Sequence, residues 1–350
     1  MRILFFGDLQ VNHKNSLYQS FLDGTMRHLR EFININNPDL LINLGDLMET
    51  KSVVEVEDLV WAWNWTKTLE DMCPPPSENG HSSYWIIKGN HDISDRNCHT
   101  ASVQVMEGLN TSVFMKEHVV KLEEFDVVIL PYTENYSLLN KFLDSIEDKN
   151  RVRLIVGHVC WIGARMTPYF VTDKGLDPVK VLRQFPNARV FNGHYHHPVD
   201  VCNRLHMVGS PLHKDFNDII GDIPRGFVLW DSDLDTITRI KNPSTYHCLS
   251  LEFNSEENMR DIYEKLYEDK ELLKLRIYVP KNLIEEANEL FKGFLWKSVV
   301  QSSSDVISVY NGSGLKIQST PKEIIEIAVT NSPDGYDKNL LEKIGKEAFA

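Results

Sequence analysis

The sequence predicts an α/β layered fold followed by a small α+β module, and three observations carry that reading. Over the first two hundred residues short apolar runs alternate with helical patterns. From Leu205 the strands come close together, and from about Tyr246 the pattern returns to strand, helix, strand, helix. The apolar runs at 3–6, 40–44, 84–87, 127–130, 152–156 and 188–191 read as buried strands. Helical stretches at 17–35, 53–72, 100–109, 136–146 and 178–185 lie between them. The runs at 206–208, 226–230 and 236–240 are expected to close a second sheet.

The module that follows carries strands at 251–253 and 275–279 and helices at 255–267 and 282–295. Residues 302–319 are rich in Ser, Gly and Asn and read as a linker. Two short amphipathic helices are expected beyond it. The first has Thr320 as N-cap and Pro321 at the first helical position, burying Ile324, Ile325 and Ala328. The second starts near Asp337 and places Leu340, Leu341 and Ile344 on one face. The expected division is a main domain at 1–243, a small α+β domain at 244–301, the linker, and a helical tail at 320–350.

Composition narrows the class. With 42% hydrophobic and 25% charged residues in 350, the chain reads as an ordinary globular protein. No apolar run approaches the ~20 residues that span a bilayer, and the N-terminus reads as a strand rather than a signal peptide. The five cysteines are scattered and lack paired zinc spacing, which predicts a reducing, cytoplasmic setting. A net charge of −13 argues against holding nucleic acid by a broad basic face. It leaves a nuclease open, because two divalent cations would add positive charge where a phosphate must sit.

Five short motifs share one design, in which a strand ends and a metal-binding side chain follows. They are Gly7-Asp8-Leu9-Gln10, Gly45-Asp46-Leu47-Met48-Glu49, Gly89-Asn90-His91-Asp92, Gly157-His158 and Gly193-His194-Tyr195-His196. In layered α/β folds the carboxyl ends of strands line the ligand crevice. Taken alone each motif is weak: a lone Gly-Asp is usually a turn, and a lone His a hydrogen-bonded structural residue. Together and in order they define one site. Its carboxylate, amide and imidazole donors suit Mn²⁺, Fe or Zn better than an all-oxygen Mg²⁺ or Ca²⁺ cage.

The set resembles the calcineurin-like metallophosphoesterase superfamily motif for motif. That resemblance implies a four-layer α/β/β/α sandwich and a pair of divalent metals, and the α+β module is expected to be a small capping domain beside it. Asp8, Gln10, Asp46 and His196 would surround the first metal; Asp46, Asn90, His158 and His194 the second, with Asp46 bridging. His91 would stay free of metal and protonate the leaving oxygen or stabilise the phosphorane, with Asp92 orienting its imidazole. Paired metals polarise a phosphoryl group and acidify an attacking water. Gln10 departs from the usual His. It either offers a carbonyl oxygen, loosening the first metal toward Mn²⁺ or Mg²⁺, or touches no metal, or is replaced by His13.

Val208-Gly209-Ser210-Pro211 and the stretch Pro224-Arg225-Gly226-Phe227-Val228-Leu229-Trp230-Asp231 resemble the end of the nuclease domain in the SbcD family. The layout is similar to SbcD-like recombination nuclease subunits of T-even-type tailed phages. This implies a Mn²⁺-dependent DNA nuclease for double-strand-break processing and recombination, exonucleolytic on duplex ends and endonucleolytic on single strands and hairpins. It further implies a partner SbcC-type coiled-coil ATPase docked through helices between residues 321 and 349. A homodimer would form through helices beside the second and third motifs. The helix at 53–72 is apolar around its circumference, which fits a dimer contact or a deeply buried core helix. Lys14, Lys88, Arg96 and Arg165 lie near the motif loops and are candidate phosphate contacts, or ordinary solvated charges. A phosphatase or nucleotide phosphodiesterase, and a non-catalytic scaffold, are the alternatives.

Overall fold

The computed structural model describes residues 1–49, 53–75, 80–94, 100–167, 170–214, 216 and 223–302. It divides into two units, Met1–His247 and Cys248–Ala350. The expected tail, nearly all of the linker, Arg96 and Cys98 lie outside the described residues.

The first unit opens with β1 (Arg2–Phe6), α1 (Ser16–Asn36), β2 (Leu40–Asn43), α2 (Val56–Glu70) and β3 (Tyr84–Ile87). A 3₁₀ helix at Ser102–Gly108, where an α-helix is expected, leads to β4 (Ser112–Phe114), β5 (His118–Lys121) and β6 (Asp126–Leu130). Then come α3 (Tyr136–Ser145), β7 (Val152–Gly157), β8 (Arg165–Thr167), β9 (Phe170–Val171) and α4 (Pro178–Gln184). Strands β10 (Arg189–Asn192), β11 (Val199–Cys202), β12 (Leu205–Met207), β13 (Gly226–Asp231) and β14 (Thr236–Lys241) close it.

Two six-stranded sheets result, ordered β14-β13-β1-β2-β3-β4 and β11-β12-β10-β7-β6-β5. Strands β1 to β4 are parallel, as are β6, β7, β10 and β12. The sheets meet face to face. Ile3, Phe5, Ile42 and Trp85 of the first share a core with Val127, Ile129, Val156 and Phe191 of the second. Phe5 stacks on Phe191 with ring centres 4.2 Å apart. Intervening residues point outward yet stay buried, which is why these strands read as continuous apolar runs. On the second sheet, α3 and α4 supply that cover through Leu139, Leu143, Val181 and Phe185. Because β1, β2 and β3 follow one another across the sheet, right-handed crossovers put α1 and α2 together on the first sheet's outer face. The layers are therefore α/β/β/α.

The close-spaced strands after residue 205 do not make a sheet of their own. Strand β12 lies parallel to β10, whereas β13 and β14 run antiparallel beside β1. Each covers an otherwise open sheet edge, a stronger demand than pairing with the nearest strand in sequence.

The second unit contains β15 (His247–Glu252), α5 (Glu256–Leu266), β16 (Leu273–Val279), α6 (Ile284–Leu290) and β17 (Trp296–Gln301). Its three strands form one sheet, with β17 parallel to β16. A core of Phe253, Met259, Leu275, Ile277, Ala287 and Phe291 belongs to this unit alone. None of the described helices is long and apolar enough to cross a membrane.

Candidate active site

Every motif residue sits just past the carboxyl end of a parallel strand. Asp8 follows β1, Asp46 follows β2, Asn90 and His91 follow β3, His158 follows β7, and His194 and His196 follow β10. Two adjacent sheets thus deliver their donors to one rim. The backbone there is strained. Asp8, Gln10, Asp46 and His194 have φ of 51°, 47°, 52° and 70°, left-handed values that cost a non-glycine residue about 1 kcal/mol or more. Strain of this kind persists where the surroundings impose it, and here it gathers at one place. Glycine is required beside it: a Cβ on Gly89 would lie 2.2 Å from the Asp46 nitrogen, and one on Gly45 2.6 Å from His158 Nδ1.

The donors converge around Asp46. Ligand atoms of Asp8, Asp46 and His158, all buried, lie within 4.8 Å of one another. Asn90 Oδ1 is 3.0 Å from His158 Nε2 and 2.7 Å from His194 Nδ1. On the other side, Gln10 Nε2 lies 3.3 Å from Asp46 Oδ2 and 3.3 Å from His196 Nε2. Gln10 therefore occupies the expected place, with its amide nitrogen turned inward. To serve as a ligand the amide must turn over and present Oε1. His13 does not approach as a substitute: its N–H donates to Asp58 Oδ1 at 2.8 Å, and its Nδ1 lies 2.7 Å from the same oxygen.

Hydrogen bonds to carbonyls set the imidazoles. His158 Nδ1 lies 2.7 Å from Leu44 O, and His91 Nδ1 lies 2.7 Å from Glu49 O. A carbonyl only accepts, so both rings carry hydrogen on Nδ1 and turn Nε2 toward the site.

The electrostatics call for a cation. Burial pushes the Asp8 carboxyl up; His158 pulls it back and Asp46 adds to the rise. Burial opposes ionisation of Asp46 too, but His158 and the His91 N–H outweigh it and hold the carboxyl below its usual range. Burial lowers His158, yet Asp46 and Asp8 raise it on balance to about 9. Burial, then His158, pushes His194 down to about 3. The cluster thus keeps a proton on His158 between two buried carboxylates, and a divalent ion would answer the same need. The donor set fits a divalent ion.

Asp92 has a different role from the one expected. Its Oδ1 accepts the N–H of Leu47 at 3.0 Å and of Met48 at 3.2 Å. Its Oδ2 accepts the N–H of Gly89 at 2.8 Å and of Asp46 at 3.0 Å. Both oxygens are engaged by backbone, so Asp92 shapes the Asp46 turn, and Glu49 O orients His91.

The candidate phosphate contacts occupy different settings. Lys14 is exposed and pairs with Glu55 at 2.5 Å. Lys88 is buried beyond β3, where its backbone joins Phe114 and Tyr132. Arg165 is exposed on β8, and Arg96 lies outside the described residues.

Several supporting residues escaped the sequence reading. The buried Arg225 donates to His196 O, and also to Ser210 O and Leu212 O, both at 3.2 Å. Ser210 donates to Asp8 O at 3.0 Å. The Asn192 amide bonds Val159 O at 3.0 Å and Gly193 O at 2.6 Å, joining the two histidine loops. Asn43 accepts from Gly45 N at 3.0 Å. A polar residue ending an apolar strand just before a motif glycine was the signal for Asn43 and Asn192. Cys160 Sγ, 3.1 Å from His194 Nε2, and the Tyr132 ring, 5.8 Å from that of His194, gave none.

A two-sheet sandwich with carboxylates and imidazoles along one rim defines a metal-dependent phosphoesterase. The calcineurin-like phosphoesterase family matches residues 1–198, more than half of the chain, and the chain belongs to that family. It is a hydrolase of phosphoester bonds. No curated protein sequence matches it. Among solved structures it is similar to YfcE, a phosphoesterase from E. coli, at 14% identity and a TM-score of 0.35, covering 69% of this chain and 94% of that one.

Proposed function

We propose that this chain is a Mn²⁺-dependent DNA nuclease subunit of SbcD type. Convergence of Asp8, Asp46 and His158 within 4.8 Å, joined by Asn90 and His194, is the observation that carries its phosphodiester chemistry. Asp8, Gln10, Asp46 and His196 would hold one divalent ion, and Asp46, Asn90, His158 and His194 the other. When bound, the ions supply Lewis-acid charge to the phosphoryl oxygens and acidify the attacking water. His91, fixed through Nδ1, turns Nε2 toward the site and, as the imidazolium with hydrogen on both nitrogens, would give its Nε2 proton to the leaving oxygen. Asp92 holds the Asp46 turn, and Arg225 and Ser210 tie the later segment to the His196 and Asp8 loops.

The DNA assignment rests on sequence likeness at 208–211 and 224–231, and on the presence of a separate α+β unit after the main one. A homodimer through α2 is supported by its surface. Only Asp58, Ala62, Thr66 and Leu69 are buried, while Val56 is 75% and Val60 51% exposed beside half-buried tryptophans. One buried stripe of mostly small residues is not the pattern of a core helix. The SbcC-type ATPase docks through residues 320–350, outside the described part, and presents the DNA, which offsets the acidic charge. Lys14 and Arg165 remain the exposed candidates for phosphate contact, with Arg96 and Lys88 as the others.

The test is Mn²⁺-dependent cleavage of duplex and hairpin DNA, with and without a co-expressed ATPase, beside a chromogenic phosphodiester. Cleavage of DNA is expected. Turnover of the chromogenic ester with no DNA cutting would instead favour a phosphatase or nucleotide phosphodiesterase. Turnover of neither would favour a scaffold.

A further inference from the structure

The strands that carry the metal ligands at one end carry arginines at the other. Arg153 is the second residue of β7, Arg189 the first of β10, and Arg204 immediately precedes β12, three parallel neighbours in one sheet. With Asn187, Asn203 and Asp235 these side chains line a cavity of about 480 Å³. Arg189 and His194 are five residue steps apart along the chain, so at ~3.3 Å per step the cavity opens roughly 15 Å from the metal ligands. Three guanidiniums and one carboxylate leave it positively charged, in a chain of net charge −13.

Oxygens of the fold hold each guanidinium in place. Arg189 Nε and Nη2 bond Asp235 Oδ1 at 2.5 Å and Oδ2 at 2.6 Å, and its Nη1 bonds Asn203 O at 2.5 Å. Arg204 donates to Phe185 O at 3.1 Å, Pro186 O at 2.7 Å and Leu182 O at 2.9 Å. Arg153 donates once, to Ser232 O at 2.8 Å, and lies over the Phe125 ring at 5.6 Å. A guanidinium has five N–H groups, so all three retain unused donors, Arg153 most of all. Capping carbonyls explains Arg204 but not why Arg153 brings an almost unspent fork to the same cavity.

We propose that this cavity binds a phosphate group, carried by a small phosphate or nucleotide or by a nucleic-acid backbone. Planar forks fixed from behind suit bidentate recognition of phosphate oxygens, and the excess positive charge suits a phosphate dianion. The volume falls within the ~300–1,000 Å³ of small-molecule sites. The site shares no residue with the metal ligands and stands whether or not the nuclease reading does.

The test is calorimetric titration of the full-length, Mn²⁺-loaded protein with pyrophosphate, AMP and an eight-nucleotide single strand. Asp46→Asn is expected to retain one binding event, and Arg153→Glu to weaken that event at least tenfold while leaving chromogenic ester hydrolysis unchanged. Arg153→Gln, gentler on the fold, is expected to weaken it less, and thermal unfolding checks that both variants are folded. Binding of pyrophosphate or AMP assigns the site to small phosphates; binding of the oligonucleotide alone assigns it to the backbone. Absence of binding by Asp46→Asn to all three, or unchanged affinity in both folded Arg153 variants, overturns the proposal.

Discussion

At the scale of residues, His91, Asp92 and Gln10 separate three kinds of work at one rim. His91→Ala removes the proton donor and no proposed ligand. It should lower turnover of the chromogenic ester by about 10²–10⁴-fold, with bound metal unchanged by elemental analysis. Parallel loss of metal would show that His91 is a ligand. Asp92→Asn puts an amide N–H against backbone donors that now bond a carboxylate. It should lower the unfolding midpoint, with a cost of about 1–3 kcal/mol for the unpaired buried donor. A purely His91-orienting role predicts lost turnover at unchanged stability. Gln10→His restores an imidazole between Asp46 and His196, and Mn²⁺ should bind about 10-fold or more tightly at the weaker of two calorimetric steps. Unchanged affinity would mean that position 10 touches no metal. These site residues were legible because each motif pairs a chemically unusual side chain with a strand end. The role of Asp92 was not, since adjacency to His91 in sequence says nothing about which way a carboxylate turns, and four backbone N–H groups brought by three-dimensional folding decided it.

At the scale of elements, β1, β2, β3, β6, β7 and β10 announced themselves as continuous apolar runs, and α1 as a stripe of Leu22, Met26, Leu29 and Ile33. The edge strands β4, β5 and β11 did not, being short and partly exposed with a thin apolar signal, and although β13 was read as a strand, its pairing with β1 across more than two hundred residues was not legible. One charged cluster joins such edges. Asp200 Oδ1 of β11 lies 2.7 Å from His206 Nδ1 of β12 and accepts from Arg239 Nη2 of β14 at 2.5 Å. Burial raises the Asp200 carboxyl, but hydrogen bonds from Arg239 and His206 outweigh it and hold it below its ordinary value. A depressed carboxylate stabilises the fold above its unfolded pKa, near 3.9, and that contribution is lost as pH falls through the folded value. Asp200→Asn should therefore destabilise at pH 7, and its difference from wild type should begin to shrink as pH falls below about 4. A difference that stays constant in thermal unfolding as pH is lowered from 7 through the acid range would contradict this.

At the scale of the whole molecule, the sandwich places the carboxyl ends of β1, β2 and β3 against those of β7 and β10, and the site exists only because both sheets contribute. That explains why the glycines cannot be spared: the sheets approach until His158 meets the space beside Gly45. Burying two carboxylates there is costly unless a cation joins them. Chelation of metal should accordingly lower the unfolding midpoint, and Mn²⁺ should restore it in proportion to occupancy. The most direct test of the account is Mn²⁺-dependent hydrolysis of a chromogenic phosphodiester by the wild type and by Asp46→Asn, the residue shared between both metal positions. The account predicts that the wild type turns over only with metal, and that the folded variant loses at least about 10³-fold of that rate. Metal-independent hydrolysis by the wild type, or a folded Asp46→Asn that keeps its rate, would contradict it.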